Sequence, residues 1–433
     1  MAVAMQAFAT RQDTYYDASR TREPPAAPLL GIASADVGIV GGGLAGLSAA
    51  LYLAAGGHRV VLLEAERLGA GASGRNGGQV LPGYACSQQK LAELVGRADA
   101  RALWDLSVQG VALLKQRMQE QQIECDWQPG HLHVATRQRH VDELRAWQLE
   151  LRDHCGYPGT QLLGLAATRE LLASTRYIGA LFDPDAGHLH PLRYLLGLAR
   201  SAQRAGVAVH EQSRALGYAA GGPRALRVRT ADGELRCDQL LLTGNALLGN
   251  VAPPLARRIL PVGTYMLATA PLGAALAGSL IANGAAVSDM NWILDYFRRT
   301  SDHRLLFGGR VSYGGLDERG SLPATRARLL RVFPQLADVR IDHHWGGWLD
   351  LTMNRAPDFG RLAPNVWYLQ GFSGHGVALT GIAGQVVAEA IAGSAARFDV
   401  FARIPHRDFP GGTLLRRPLL QLAMLWYRLR DLL

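Results

Sequence analysis

DVGIVGGGLAGLSAALYLAAGGHRVVLLEAERLGAGASGRNGGQ, residues 36 to 79, opens with a stretch from Val37 to Gly57 that carries no charged side chain. Its length is enough for a membrane-spanning helix, but its glycines point elsewhere. Gly41, Gly42, Gly43 and Gly46 fall where a spanning helix needs regular backbone hydrogen bonding, and each Gly in a helix interior costs about 1 kcal/mol relative to Ala. The same residues read smoothly as strand, turn and helix. Val37 to Val40 is a short apolar strand suited to a parallel sheet buried on both faces. Leu44 to Ala55 is a helix rich in Ala and Leu, stopped by Gly56-Gly57, and Arg59 to Glu64 forms the next strand.

Gly41-x-Gly43-x-x-Gly46 alone decides little, because a chain with 50 Gly supplies about one such triplet by chance. Its context decides more. The motif follows a strand and opens a helix, and the second strand ends in Glu64, placed to accept from a ribose hydroxyl, with Ala65 beside it. Gly41 allows a tight turn, Gly43 lets a pyrophosphate approach the backbone, and Gly46 lets helix and strand pack closely. Gly42 and Ala45 complete the loop beneath a helix N-terminus suited to phosphate. A dinucleotide-binding fold is expected.

The stretch that follows, GASGRNGGQ at 71 to 79, is a second glycine-rich loop that a simple nicotinamide-binding domain does not need. Ser73, Gly74, Arg75, Asn76, Gly77, Gly78 and Gln79 combine close backbone approach with polar side chains suited to a flat ring system. Here the sequence resembles the D-amino-acid oxidase and glycine oxidase superfamily of FAD enzymes, most closely its polyamine-catabolic branch, which oxidises gamma-glutamylputrescine. Further motifs carry the resemblance along nearly the whole chain. They are Tyr15-Tyr16, GHLHPL at 187 to 192, GNALLGN at 244 to 250, LDYFRRTSDHRLLFGG at 294 to 309, GFSGHGVALTGIAG at 371 to 384 and HRDFPGGTLLRRP at 406 to 418.

The resemblance implies an α/β fold in which a Rossmann-like FAD-binding domain is interleaved with an antiparallel-sheet substrate domain. Residues 1–35 read as an N-terminal arm. The FAD-binding domain takes 36–85, 187–250 and 351–395, the substrate domain 86–186 and 251–350, and 396–433 forms an extension. TYMLATA, NWILDYF and RLLFGGRV read as strands of the substrate domain, and Pro191 starts a helix. Leu422, Leu425, Trp426, Leu429 and Leu433 recur at helical spacing, so 416–433 reads as an amphipathic helix that docks on the protein or touches a membrane surface.

FAD is expected to be held non-covalently, because no Cys lies beyond Cys237 and no His lies in the 71 to 79 loop. Leu216, Thr243 and Gly244 are expected to add cofactor contacts. In GFSGHGV, Gly371, Phe372, Ser373, Gly374, His375, Gly376 and Val377 read as a turn and a helix beginning at Ser373 or Gly374. Its amides would then face the flavin edge that becomes negative on reduction.

Oxidation next to an amine needs the neutral amine, whose lone pair assists departure of the hydride; an imine forms and hydrolyses to aldehyde and ammonia. His375, Tyr296, Asp295 and Arg298 are the catalytic candidates, with Trp292 beside them, although strand alternation prevents all from facing one way. Sarcosine-type relatives carry a substrate-binding lysine two residues after GHG, where this chain has Val377, Ala378 and Leu379. That departure disfavours an α-amino acid held by its carboxylate there and favours a gamma-glutamylated polyamine. Oxidation of a cyclic or secondary amino acid such as pipecolate is the alternative.

Those relatives also keep a lysine near the flavin that assists oxygen. Lys90 and Lys115 are the chain's only lysines, so oxygen or another electron acceptor is expected, with Arg75, Arg298, Arg310 or a protonated His375 as substitute charges. A net charge of +9 raises the prospect of nucleic acid. The basic residues, however, are scattered singles and doublets with no run to follow a phosphate backbone, so a nucleic-acid-binding flavin module is disfavoured. His188 and His190 have no third ligand in view, and no metal site is expected. Cys86, Cys125, Cys155 and Cys237 lack metal or redox spacing, and no secretory apolar segment opens the chain. A cytoplasmic protein with free thiols is expected.

Overall fold

In the computed structural model, residues 14–20, 24–220, 226–291, 293–312 and 318–412 are described. Trp292 and the helix expected at 416–433 lie outside them. Two sheets organise the rest. The first has the order Asp358–Ala363, Val366–Gln370, Gly233–Leu242, Gly31–Val40, Val60–Leu63, Ala208–His210. All neighbours after the first pair are parallel. The chain builds outward from Gly31–Val40 in one direction and returns on its other side with Gly233–Leu242. This is the topological switch point where doubly wound sheets bind ligands at the carboxyl ends of their strands. Thr243 N donates to Val40 O there at 2.8 Å.

The first strand starts at Gly31 rather than Val37, because residues 31–35 gain a parallel partner in residues 233–237 that local hydrophobicity does not reveal. The glycine-loop helix spans Leu44–Ala55 as expected. The arm is also more ordered than its composition suggests. Tyr15–Ala18 is a helical turn capped by Thr14, and Tyr16 is fully buried.

The second sheet runs Ile341–Thr352, Ile259–Thr269, Leu305–Ser312, Tyr296–Arg299, Ala286–Asp289, Gln128–Ala135, Gly179–His188, Gln79–Val80. It is antiparallel except where Ala286–Asp289 pairs with Gln128–Ala135. Its two faces have different tasks. Leu132, Val287, Phe297, Phe307 and Leu267 pack with Leu329 and Val332 of the helix Glu318–Val332. Met266, Ala268, Leu306 and Trp345 join the core of the first domain. The helix Arg97–Glu120 lies within the segment 86–186 assigned to the substrate domain, yet Leu103, Leu106, Val111 and Leu114 pack into that same first core.

NWILDYF is not one strand. Asp289 Oδ1 accepts from the amides of Asn291 and Asp295, both at 3.1 Å, and the sheet resumes only at Tyr296. Beyond the first sheet, the helix Ala396–Ala402 inserts Phe398 against Trp367 and Phe401 against Phe359. Among the described residues, no single helix is long and apolar enough to cross a membrane.

Candidate active site

Gly41 adopts φ +116°, and a Cβ there would fall 2.8 Å from Thr243 Oγ1. A Cβ on Gly43 would fall 2.9 Å from Ser73 Oγ. The Leu44–Ala55 helix opens at Gly43 with no side-chain cap and no acidic residue in its first turn. Its positive end therefore faces a cradle lined by backbone, as a pyrophosphate requires. Glu64 accepts from Gly42 N at 2.8 Å and Glu66 N at 2.9 Å. Withdrawal from water raises its carboxyl above the usual carboxylate range. These residues fit the diphosphate and ribose of FAD.

The 71–79 loop makes its own scaffold and is then stitched to the second sheet. Asn76 Nδ2 donates to Ala72 O and Ser73 O, while its Oδ1 accepts from Gly78 N at 2.8 Å. Arg75 Nε donates to Gly346 O at 2.7 Å, Trp345 Nε1 to Arg75 O at 3.0 Å, and Gln79 Nε2 to Val287 O at 3.0 Å. Gly78, at φ +72°, has Leu189 O where a Cβ would project, only 2.1 Å away. The buried Tyr16 hydroxyl donates to Asn76 O at 2.7 Å, which explains the Tyr15-Tyr16 motif: the arm pins the loop.

The helix after GFSGHG begins at Gly376, two or three residues later than expected, with His375 as its N-cap. Ser373 and Gly374 have φ +51° and +96°, so they form the turn rather than the first helical residues. A Cβ on Gly384 would fall 2.5 Å from the Ser48 side chain. Ser48 is the fifth residue of the first helix and Gly384 the ninth of this one. Both helices follow parallel strands, so the second begins about four residues, or ~6 Å, further out at 1.5 Å per residue. Its start thus lies further out than the Gly43 cradle. Asp350 is buried beneath this turn, and burial raises its carboxyl, with Asn245 and the nearby backbone of Gly371 and Phe372 pulling the other way; Gly371 N donates to Asn245 Oδ1 at 3.4 Å.

Of the four catalytic candidates, His375 and Tyr296 reach this region. Tyr296 pairs with Ser288 on one side and Gly308 on the other. Its ring occupies the space where a Cβ on Gly77 or Gly308 would project, at 2.9 and 2.3 Å. Burial raises its phenol, which stays neutral. Burial, with Arg355 adding to it, lowers His375 to about 4, so the imidazole is neutral at ordinary pH and is not the positive charge considered above.

Asp295 points the other way. Its Oδ1 accepts from Arg328 Nε at 2.5 Å, on the helix covering the far face of the sheet. Arg298 is on the near face but is occupied: Nε donates to Gly77 O at 2.7 Å, Nη2 to Leu189 O at 2.9 Å and Tyr16 Oη at 3.2 Å, and Nη1 to Arg299 O at 3.3 Å. It holds the loop and offers no free fork to a substrate. Leu216 is 57% exposed, three residues after Ser213 N donates to Glu64 O. His188 ends its strand and its Nε2 lies 2.9 Å from Gly284 O; His190 caps the Pro191–Arg204 helix.

The sequence reading missed a histidine pair. His131 and His133, two apart on Gln128–Ala135, share a sheet face and have ring centroids 4.3 Å apart. Ser288 on the neighbouring strand lies within hydrogen-bonding distance of both. His375 across the domain seam is close enough to lower the basicity of each. The alternation in His131-Leu-His133-Val was the available signal.

The FAD dependent oxidoreductase family model matches residues 36–390. The gamma-glutamylputrescine oxidoreductase of Escherichia coli (strain K12) is 42% identical over 96% of this chain and 98% of its own length. A probable oxidoreductase OrdL of Haemophilus influenzae is 38% identical over 96% and 97%. Among solved structures, glycine oxidase from Geobacillus kaustophilus superposes with a TM-score of 0.71 at 21% identity, covering 83% of this chain and 95% of that one. The last likeness establishes the shared fold.

Proposed function

The chain belongs to the family of FAD-dependent oxidoreductases, and from that premise we propose that it oxidises the amine of gamma-glutamylputrescine or a similar gamma-glutamylated polyamine. The product is an imine, which water converts to aldehyde and ammonia. The observation that carries this reading is 42% identity across nearly the full length of both chains to a relative named for that substrate. The apolar Val377, Ala378 and Leu379 after the GHG turn agree with it, since they offer no cation to an α-carboxylate beside the reacting carbon.

FAD, when bound, supplies the two-electron acceptor. The residues that would hold it are Gly41 to Gly46 and Glu64 at its diphosphate and ribose, the 71–79 loop, and the Ser373–Val377 turn at the ring. No Cys or His stands in the loop for covalent attachment, so the flavin is expected to be released intact by heat. Anaerobic mixing with a panel of amines tests the substrate. Gamma-glutamylputrescine should bleach the flavin, with aldehyde and ammonia formed in equal amounts. Bleaching by pipecolate or other cyclic amino acids alone would overturn the reading. The free thiols and the lack of a spanning helix among the described residues support a cytoplasmic site of action.

The same site leads us to propose an acceptor other than oxygen. Lys115 Nζ donates to Asp185 O and lies over Trp127, and Arg75 and Arg298 are tied to backbone carbonyls. His375 gains charge only as pH falls through about 4. With no lysine at the turn and the nearest charge there the diffuse guanidinium of Arg355, superoxide gains little stabilisation, and the reduced enzyme should react with oxygen at least roughly tenfold more slowly than with a quinone or dye, about 1.4 kcal/mol in barrier. The oxygen rate should also stay flat from pH 6 to 8. A fast oxygen reaction that declines across that range would refute both points.

A further inference from the structure

Gln128–Ala135 presents His131 and His133 on the face of the second sheet that turns toward the first domain. Residues two apart on a strand share a face. In the parallel register Ser288 stands opposite His133, and in the next register Tyr296 stands opposite Ser288, so these side chains share one surface. The Tyr296 ring fills the space above Gly77 in the cofactor loop, which places this surface beside that loop. On the other side of the seam stands His375, first residue of the cap of the Gly376–Ile391 helix.

Within the cluster the two imidazoles differ. His131 is fully buried, and its Nδ1 has no partner among the described residues. His133 is half-buried, with its ring edge against Trp147 at a centroid distance of 4.7 Å. Ser288 Oγ lies 3.3 Å from His133 Nδ1 and 3.4 Å from His131 Nε2. A hydroxyl gives one proton and accepts elsewhere. If His133 Nδ1–H donates to Ser288, the hydroxyl proton goes to His131 Nε2 and the outer nitrogen of His133 is left as a bare acceptor.

We propose that His133 Nε2 accepts a hydrogen bond from the reacting amine of the substrate and holds that amine in its uncharged form, in the tautomer whose Nδ1–H donates to Ser288. The inference rests on the amine-oxidation reading above and adds the residue that touches the nitrogen. A primary alkylamine, like Lys, has a pKa near ~10.4 in water. It must therefore shed a proton before its lone pair is available: one N–H bond breaks, the electron pair stays on nitrogen, and the proton passes to water. A carboxylate at this place would favour the ammonium form. Imidazoles that are themselves neutral accept an amine N–H without offering a counter-charge. Burial keeps them so, lowering His133 to about 3 and His375 to about 4.

The test is anaerobic stopped-flow reduction of the bound flavin by gamma-glutamylputrescine. His133→Phe keeps the ring against Trp147 and removes the acceptor. Its limiting reduction rate should fall roughly ten- to a hundredfold, the weight of one strong hydrogen bond, with flavin content and absorption spectrum unchanged. His133→Gln, whose amide oxygen can take the acceptor's place, should recover to within a few-fold of wild type. Ser288→Ala, which frees the ring, should give a smaller fall. Reduction of His133→Phe at the wild-type rate and with the same amine affinity would overturn the proposal, as would a His133→Gln variant no better than His133→Phe. Should no amine bleach the wild-type flavin, the amine reading itself fails, and that is seen before any variant is made.

Discussion

Arg298→Ala is expected to purify largely without its yellow cofactor. The guanidinium is 3% exposed and joins four parts of the chain: Gly77 in the cofactor loop, Leu189 before the Pro191 helix, Tyr16 in the arm and Arg299 on its own strand. Removing it leaves buried carbonyls without donors, at about 1–3 kcal/mol each, and opens a void beneath Gly78, whose backbone conformation already depends on a close approach to Leu189 O. Losses of that size are equivalent to a hundredfold or more in FAD affinity. Arg298→Lys distinguishes the reasons. If charge near the flavin were the point, lysine would restore function. If the planar fork is needed to reach several carbonyls at once, lysine fails nearly as badly as alanine. The flavin-to-protein absorbance ratio and the FAD dissociation constant measure both variants. Full retention of FAD with loss of turnover would return Arg298 to a catalytic role.

In the sequence Arg298 is a catalytic candidate because it shares the NWILDYFR segment with Tyr296. Its actual partners include the carbonyls of residues 77 and 189 and the hydroxyl of Tyr16, and no local pattern reveals such distant groups. The strand–turn–helix from residue 36 to 55, by contrast, was legible because its constraints are local. A positive φ at Gly41 and tight packing at Gly46 are demands on single residues, which the residues answer with glycine. The Gly376–Ile391 helix was legible in its body but not at its start, since Ser373 adopts a left-handed conformation that only the surrounding turn explains.

The histidines show the same limit. Gly-His-Leu-His occurs twice, at 130–133 and 187–190; the first copy lies within a strand and the second begins at the end of its neighbour. In the first, the strand continues through Val134, so both imidazoles face the domain seam. In the second, Pro191 fixes a helix start, so His188 closes a strand and His190 becomes a cap. The proline is a local sign that the second copy leaves its strand. The first acquires its meaning from Ser288, 155 residues away from His133.

A pH-dependent stability should accompany the buried turn that begins right after Ser288. Asp289 is 3% exposed and receives Asn291 N, Asp295 N and Asn291 Nδ2. Burial, then the nearby Asp295 carboxylate, raises it from 3.8 to about 7. Asp295 itself pairs with Arg328, and Tyr177 lies close to both acids. The native state therefore keeps a proton between about pH 4 and 7 that the unfolded chain has released. Where the native state binds more protons, stability falls as pH rises. The loss accumulates through that window, to at most about 4 kcal/mol at 1.36 kcal/mol per pH unit, and is constant above it. Asp289→Asn retains an acceptor for the two backbone amides but cannot ionise. Its stability relative to wild type, measured by urea unfolding of the flavin-loaded protein, should therefore improve steadily from pH 4 to pH 7 and then level off. A difference that is the same at every pH, or that shrinks as pH rises, would show that Asp289 is ionised in the folded protein throughout and that Arg328 compensates both acids.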